Sequence, residues 1–338
     1  MKLNRELSQQ SWLEVKHSVL DDSFGCENSY MVLSFFNFHE RSELTSTFTS
    51  ILTSEALNSK KTCRECCFFE QKVVPLQGLS TFTMKAEVFN YLIYGMTAMA
   101  FVVFVSLYFV TAGYGQFRTK QWGWSINNRV AWMLMEVPVF LVMLAIWWSS
   151  PLKWHLPQLV LFCLFELHYF QRSLVFPWLL KGKSRMPVAI MTMGIVFNLI
   201  NGFLQGGGLY LFPNPDFGEG AAYLLRWNAI LGILVFIIGM AINLHSDHVI
   251  RHLRKPGDTK HYLPQKGMYR FVTSANYLGE ILEWTGFALA AATSAAWVFP
   301  IWTAANLVPR AHSIYNRYKD EFGQEALKGR KRIIPFVY

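Results

Sequence analysis

From Met84 onward the chain is a series of apolar stretches, each near the roughly 20 residues that an α-helix needs to cross a bilayer, joined by short polar connections. Seven stretches are read, at 88–111, 130–148, 157–180, 187–211, 223–245, 273–291 and 294–309. They predict an all-α integral membrane protein with seven transmembrane helices. No strand alternation and no internal repeat competes with that pattern. The 338 residues are 52% hydrophobic and 16% charged, against about 25% charged in a soluble domain, so soluble and disordered classes are excluded.

Basic loops stay on the cytoplasmic side of a membrane, so counting Lys and Arg orients the helices. The first connection holds Arg118, Lys120 and Arg129, the third Lys181, Lys183 and Arg185, and the fifth six residues from Arg251 to Arg270. Seven more lie between Arg310 and Arg332, while the opposite connections hold only Lys153. The C-terminus is therefore expected in the cytoplasm and residue 84 on the other side.

Residues 1–83 are different material. They contain ten of the 22 acids and four of the five cysteines, and their early Glu6, Glu14, Asp21 and Asp22 do not suit a signal peptide. The run Cys63-Arg64-Glu65-Cys66-Cys67 lacks the second Cys or His pair that a zinc site requires. The expected division is 1–83, an extension without assigned role, and 84–338, the membrane domain, with Met84 as an alternative start.

Ionisable groups inside a membrane helix cost free energy and need a reason to be there. In the second helix Glu136 stands in Met135-Glu136-Val137-Pro138, with Trp132 one turn earlier on the same face. A desolvated carboxyl at that depth is expected to keep its proton and act as a hydrogen-bond donor. In the third, Glu166 and Arg172 flank Tyr169, either neutralising one another across helices or serving a site. At about 100° per residue, Asn243, Asp247, Arg251 and Arg254 fall in one stripe at the end of the fifth helix. Amide, acid and guanidinium groups on one face suit a ligand with sugar hydroxyls and phosphates, or form a solvated basic helix end.

His245, His248 and His252 are too few for a metal box, and no second cluster completes a coordination sphere. On the sixth helix Asn276, Glu280, Glu283 and Trp284 share a face, and the two acids require basic or hydroxyl partners. The end of the seventh helix offers Arg310, Tyr315, Arg317 and Tyr318 for that purpose. No G-x-G-x-x-G follows a strand, so a nucleotide here has no Rossmann unit. Gly206-Gly207-Gly208 is expected to be a helix end.

Residues 84–338 resemble the steroid 5α-reductase family of membrane enzymes. The likeness rests on Glu136-x-Pro138, His168-Tyr169-Phe170-x-Arg172, Asn201-Gly202 with Leu204-Gln205, and Asn243-x-His245-Ser246-Asp247. It continues through Leu253-Arg254-Lys255-Pro256-Gly257, Ala275-Asn276, Gly279-Glu280, Glu283-Trp284, Arg310-Ala311 and Ile334-Pro335-Phe336. The resemblance implies a seven-helix reductase that moves a hydride from NADPH to carbon 5 of a 3-oxo-Δ4 steroid. It implies that Glu136 and Tyr169 bind the 3-oxo group, with Trp132 and Trp284 lining the pocket. Asn243, Asp247, Arg254, Asn276, Glu280, Arg310 and Tyr318 would hold the cofactor, and the stripe adds Arg251. The chain departs from the family pattern at His261-Tyr262-Leu263-Pro264, and at Ile314, where the family has a histidine and this chain has His312 instead.

The charge asymmetry agrees with NADPH at the cytoplasmic end and a lipophilic enone entering from the lipid. A trans-2-enoyl thioester or other enone reductase of the same superfamily is the alternative substrate class, and a transporter or scaffold the alternative function class. Neither a metal nor a nucleic acid is expected as partner.

Overall fold

In a computed structural model the described residues are 76–110, 113, 117, 122–181, 184–255, 258 and 260–338, with side chains from Ala86 onward. Residues 1–75, including the Cys63–Cys67 run, and Pro256-Gly257 lie outside them. The chain divides into two compact units, Met1–Ala86 and Glu87–Tyr338.

Seven long helices are present among the described residues. They are α1 (Leu76–Phe109), α2 (Asn128–Ser149), α3 (Leu156–Phe170, continuing through 171–179), α4 (Val188–Gly206), α5 (Trp227–Arg251), α6 (Ala275–Ala291) and α7 (Ser294–Phe322). Five of the spans, Ala86–Phe109, Asn128–Ser149, Leu156–Leu179, Val188–Leu211 and Trp227–Arg251, are long and apolar enough to cross a membrane. The protein is thus a mostly helical, multi-pass membrane protein. α6 has 17 residues and carries Glu280 and Glu283. α7 is apolar only in its first half.

Several boundaries differ from expectation for identifiable reasons. α5 begins at Trp227 rather than at 223, because Ala221–Leu225 forms a separate 3₁₀ turn, and it runs to Arg251 rather than 245. α7 passes through Pro309 to Phe322. The proline removes one backbone bond, and burial of Ala311 and Ile314 beyond it carries the helix on. Gly206 does end α4, but Gly207–Leu211 continues as a wider turn, with the Phe212 N–H reaching the Gly207 carbonyl at 2.8 Å. A two-stranded antiparallel ribbon, β1 (Ser125–Asn127) with β2 (Arg185–Pro187), ties the starts of α2 and α4. Three residues are too few to show alternation in a sequence.

The helix pair that positions the site is α5 with α6. Gly232 and Gly239 on one helix face Gly286 and Gly279 on the other, each pair spaced by two turns. A Cβ at Gly279 would lie 2.7 Å from the Gly239 carbonyl oxygen and 2.8 Å from the Asn243 Cα. Only glycine lets the backbones approach so closely, as is common where helices pack inside a membrane. The main apolar core, with Phe165, Tyr169, Trp284 and Phe299, lies between this pair, α3 and α7. The C-terminal segment pins the start of α6, its Lys331 and Arg332 carbonyls accepting from Thr273 N–H at 2.9 Å and Ser274 N–H at 3.1 Å.

Candidate active site

The first group of site residues lies on α2, α3 and α4. Asn198 Nδ2 donates to the Met135 carbonyl at 2.7 Å and to Glu136 Oε2 at 3.2 Å. Three residues on, one turn along the same face, Asn201 Nδ2 donates to the Tyr169 hydroxyl oxygen at 3.4 Å. Gln205 follows four residues later and donates to Asn201 Oδ1 at 3.3 Å and to the Ala295 carbonyl at 3.0 Å. All three amides are buried. Glu136 and Tyr169 thus each accept from an amide, which leaves Oε1 of the carboxyl and the phenolic O–H available to a ligand. Trp284 is fully buried behind them, with ring centroids 5.7 Å from Tyr169, 4.5 Å from His168 and 4.1 Å from Phe299.

The second group is ionic. Arg172 Nη1 donates to Asp247 Oδ2 at 3.0 Å, and Nη2 to Glu280 Oε2 at 2.6 Å. Asn243 Nδ2 donates to the Asn276 carbonyl at 3.0 Å and to Glu280 Oε2 at 3.4 Å, while Asn276 Nδ2 donates to Asp247 Oδ1 at 3.3 Å. The Tyr269 hydroxyl donates to Asn276 Oδ1 at 3.2 Å. The guanidinium of Arg172 is aimed by local backbone. Residues Gln171–Val175 form a π turn, in which Ser173 Oγ bonds back to the Tyr169 carbonyl and Pro177 cannot donate to the Ser173 carbonyl. Its plane also lies over Phe176 at 4.9 Å and Trp132 at 6.0 Å.

Four of the predicted cofactor residues, Asn243, Asp247, Asn276 and Glu280, are therefore joined in one network. Arg251 is half-buried beside it, and its Nη1 has no hydrogen-bond partner among the described residues. Arg254 is not on the same stripe. α5 stops at Arg251 and the chain bends ahead of Lys255-Pro256, where the residue before proline avoids helical geometry, leaving Arg254 exposed. Arg310 Nε meets the Tyr277 hydroxyl at 2.9 Å. Tyr318 is half-buried farther along α7, its ring 5.9 Å from Phe322.

Two expected pairings are corrected. Arg172 does not neutralise Glu166, because it reaches across to Asp247 and Glu280, whereas both Glu166 oxygens are buried without a hydrogen-bond partner among the described residues. The basic partners of the α6 acids come from α3 rather than from the end of α7. Glu280 faces Arg172, and Glu283 Oε1 lies 2.7 Å from His168 Nδ1. In the divergent loop His261 pairs with Glu321 at 2.7 Å. Asp258 accepts from the Lys260 N–H at 2.9 Å and the Tyr262 hydroxyl at 2.7 Å, and these bonds hold its carboxyl below the usual range.

The sequence profile described as 3-oxo-5-alpha-steroid 4-dehydrogenase matches residues 184–338. The 3-oxo-5-alpha-steroid 4-dehydrogenase 1 of Mus musculus is 36% identical over 252 residues, which are 73% of this chain and 95% of that protein. The steroid 5-alpha-reductase DET2 of Gossypium hirsutum is 32% identical over 254 residues, 74% of this chain and 97% of that protein. The chain belongs to the steroid 5α-reductase family. The 3-oxo-5-alpha-steroid 4-dehydrogenase 2 of Sus scrofa is similar to the same extent, 36% over 248 residues, 72% of this chain and 95% of that protein.

For a steroid 5α-reductase, the residues that sequence reasoning left without a role are His168, Arg172, Asn198, Asn201 and Gln205. The three amides carried a readable signal. Their spacing of three and four inside an otherwise apolar helix puts them on one face.

Proposed function

We propose that this protein reduces the Δ4 double bond of 3-oxo-Δ4 steroids to 5α-reduced 3-oxosteroids, with NADPH as cofactor. The observation that carries the proposal is the backing of Glu136 and Tyr169 by Asn198 and Asn201. Addition of hydride to the β-carbon of an enone puts negative charge on the carbonyl oxygen, and a rate advantage comes from donors already aimed there. Glu136, carrying its proton on Oε1, and the Tyr169 hydroxyl are those donors. Each is oriented because its other lone pairs already accept from an amide. Trp132 and Trp284 wall the pocket and exclude water, which strengthens both hydrogen bonds.

NADPH, when bound, supplies the hydride for carbon 5. The donor set suits it: Arg251 Nη1 is a buried N–H donor without a partner among the described residues. Asn243, Asp247, Arg251, Arg254, Asn276, Glu280, Arg310 and Tyr318 would hold it. Arg172 acts through Asp247 and Glu280, fixing both carboxylates. The C-terminus and the basic loops face the cytoplasm, all seven helices span or complete the membrane bundle, and residues 84–338 carry the activity.

The test is to incubate membranes containing the protein with NADPH and a panel of enones, following NADPH consumption and products. Conversion of a 3-oxo-Δ4 steroid to its 5α-reduced 3-oxo product is expected. Turnover of trans-2-enoyl thioesters alone would replace the steroid by that substrate class.

A further inference from the structure

The outer face of α5 changes chemistry at one level. Leu231, Leu234, Ile238 and Ala241 repeat at spacings of three and four and are exposed and apolar, and the same rhythm continues as His245, His248 and His252, also exposed. On a helix that crosses a bilayer, such a switch marks where hydrocarbon gives way to headgroups. At that level the 3₁₀ turn Gly267–Arg270 packs beside the helix. Ala241, Ile242, His245, Met268, Arg270 and Phe271 line an open groove of about 500 Å³. Gly267, at φ +61°, lies directly beneath the His245 ring, where a Cβ would overlap the imidazole.

The groove is apolar along its floor and cationic at its rim. Arg270 is exposed, and among the described residues neither its guanidinium nor the His245 ring has a hydrogen bond or ion pair. No acid lines it. It is also separate from the active site, because Asn243 and Asp247, flanking His245 in sequence, point the other way into the bundle.

We propose that this groove binds an anionic phospholipid, its acyl chain lying along Ile238, Ala241 and Ile242 and its phosphate between His245 and Arg270. Arg offers a planar fork that matches a phosphate, and His245 a single donor beside it. A zwitterionic lipid would bring a headgroup cation for which the groove has no carboxylate. The apolar floor continuous with the lipid-exposed stripe selects a lipid over a free anion. Occupancy steadies the turn that carries Tyr269, whose hydroxyl reaches Asn276 at 3.2 Å on the inner side.

The experiment uses the full chain in nanodiscs of phosphatidylcholine, alone or mixed with phosphatidylglycerol, and measures lipid retained by native mass spectrometry together with the thermal midpoint. Wild type is expected to retain phosphatidylglycerol over phosphatidylcholine by roughly fivefold or more and to gain thermal stability from it. The double variant His245→Gln, Arg270→Gln should lose that preference while keeping the wild-type midpoint in pure phosphatidylcholine. Arg270→Lys, which keeps the charge, should retain part of the preference and serves if the double variant does not fold. Equal retention of both lipids by wild type, or an unchanged preference in the variants, overturns the proposal. A midpoint raised as much by inorganic phosphate alone as by the lipid assigns the site to a free anion and also overturns it.

Discussion

At one end of the polar interior a carboxyl and a phenol, Glu136 and Tyr169, lean on neutral amides of α4, whereas at the other a single guanidinium, Arg172, holds two carboxylates of α5 and α6. The two arrangements suit different tasks. An amide donor satisfies one lone pair of Glu136 and leaves its other oxygen free to meet a ligand. The Arg172 guanidinium instead meets one oxygen of Asp247 and one of Glu280 and so fixes the two carboxylates against each other. In the proposed reaction the first arrangement would keep donors ready for the charge that develops, and the second would fix a surface for the cofactor.

The largest effect should come from breaking the ionic side. Arg172→Met would leave the buried Asp247 and the half-buried Glu280 without their cation, and losing one partner of a buried set costs about 3–5 kcal/mol. Thermal unfolding in detergent should show a large drop, and any folded fraction should bind NADPH poorly. Wild-type binding and stability together would mean that the network is not what holds the cofactor.

Next come the proton donors. Tyr169→Phe or Glu136→Ala removes one donor to the carbonyl, which costs about 2.7–4 kcal/mol of transition-state stabilisation, a 10²–10³ loss in turnover. Glu136→Gln keeps an N–H donor and should retain more activity than Glu136→Ala. NADPH binding should survive in all three. Turnover normalised to NADPH-binding protein checks this, and wild-type rates in both Glu136→Ala and Tyr169→Phe would end the catalytic assignment.

Much of this was legible beforehand, for particular reasons. Helix existence followed from length and apolarity, which is why every predicted stretch has a helix at its place. The shared face of Asn276, Glu280, Glu283 and Trp284 followed from the helical period. Partner choice did not, because it depends on depth and rotation between helices. Glu166 and Arg172 sit six residues apart, and a π turn beginning at Gln171 redirects the guanidinium toward α5 and α6. Hydropathy gave no warning of that turn. The stop of α5 before Arg254 could have been read from Lys255-Pro256, since a residue preceding proline disfavours the helical region.

The close approach of α5 and α6 yields a smaller effect that tests whether the ionic side depends on backbone packing. Gly279→Ala inserts a methyl against the Gly239 carbonyl and the Asn243 backbone, and overpacking of this kind costs about 1–3 kcal/mol. The cofactor KM should rise more than turnover falls, because Asn243 and Glu280 move apart while Glu136 and Tyr169 stay on their own helices. An equal loss in both parameters would show that the two ends are mechanically one.

Smaller still is the contribution of Arg254, which is exposed and outside the buried network. With Arg251 and Lys255 it offers cationic donors for a 2′-phosphate, so NADPH should be preferred over NADH. Arg254→Ala should raise the NADPH KM by roughly fivefold to tenfold and leave the steroid KM nearly unchanged. Equal affinity of the wild type for the two cofactors would refute the phosphate role.

The smallest expected effect is none. Every residue placed at either end of the site lies after Met84, and the stretch aligned with the Mus musculus relative covers 95% of that protein with 73% of this chain. Residues 1–83 hold four of the five cysteines and ten of the 22 acids, a usage unlike the rest. Deleting them should therefore leave both turnover and NADPH affinity intact, measured on truncated protein shown to insert and fold. If turnover fell while NADPH binding held, the missing segment would act on the Glu136 and Tyr169 end. If NADPH binding fell while turnover at saturation held, it would act on the Arg172 end. Either loss would place a contribution from the first 83 residues at a specific side of the comparison, and retention of both would make Met84 the functional start.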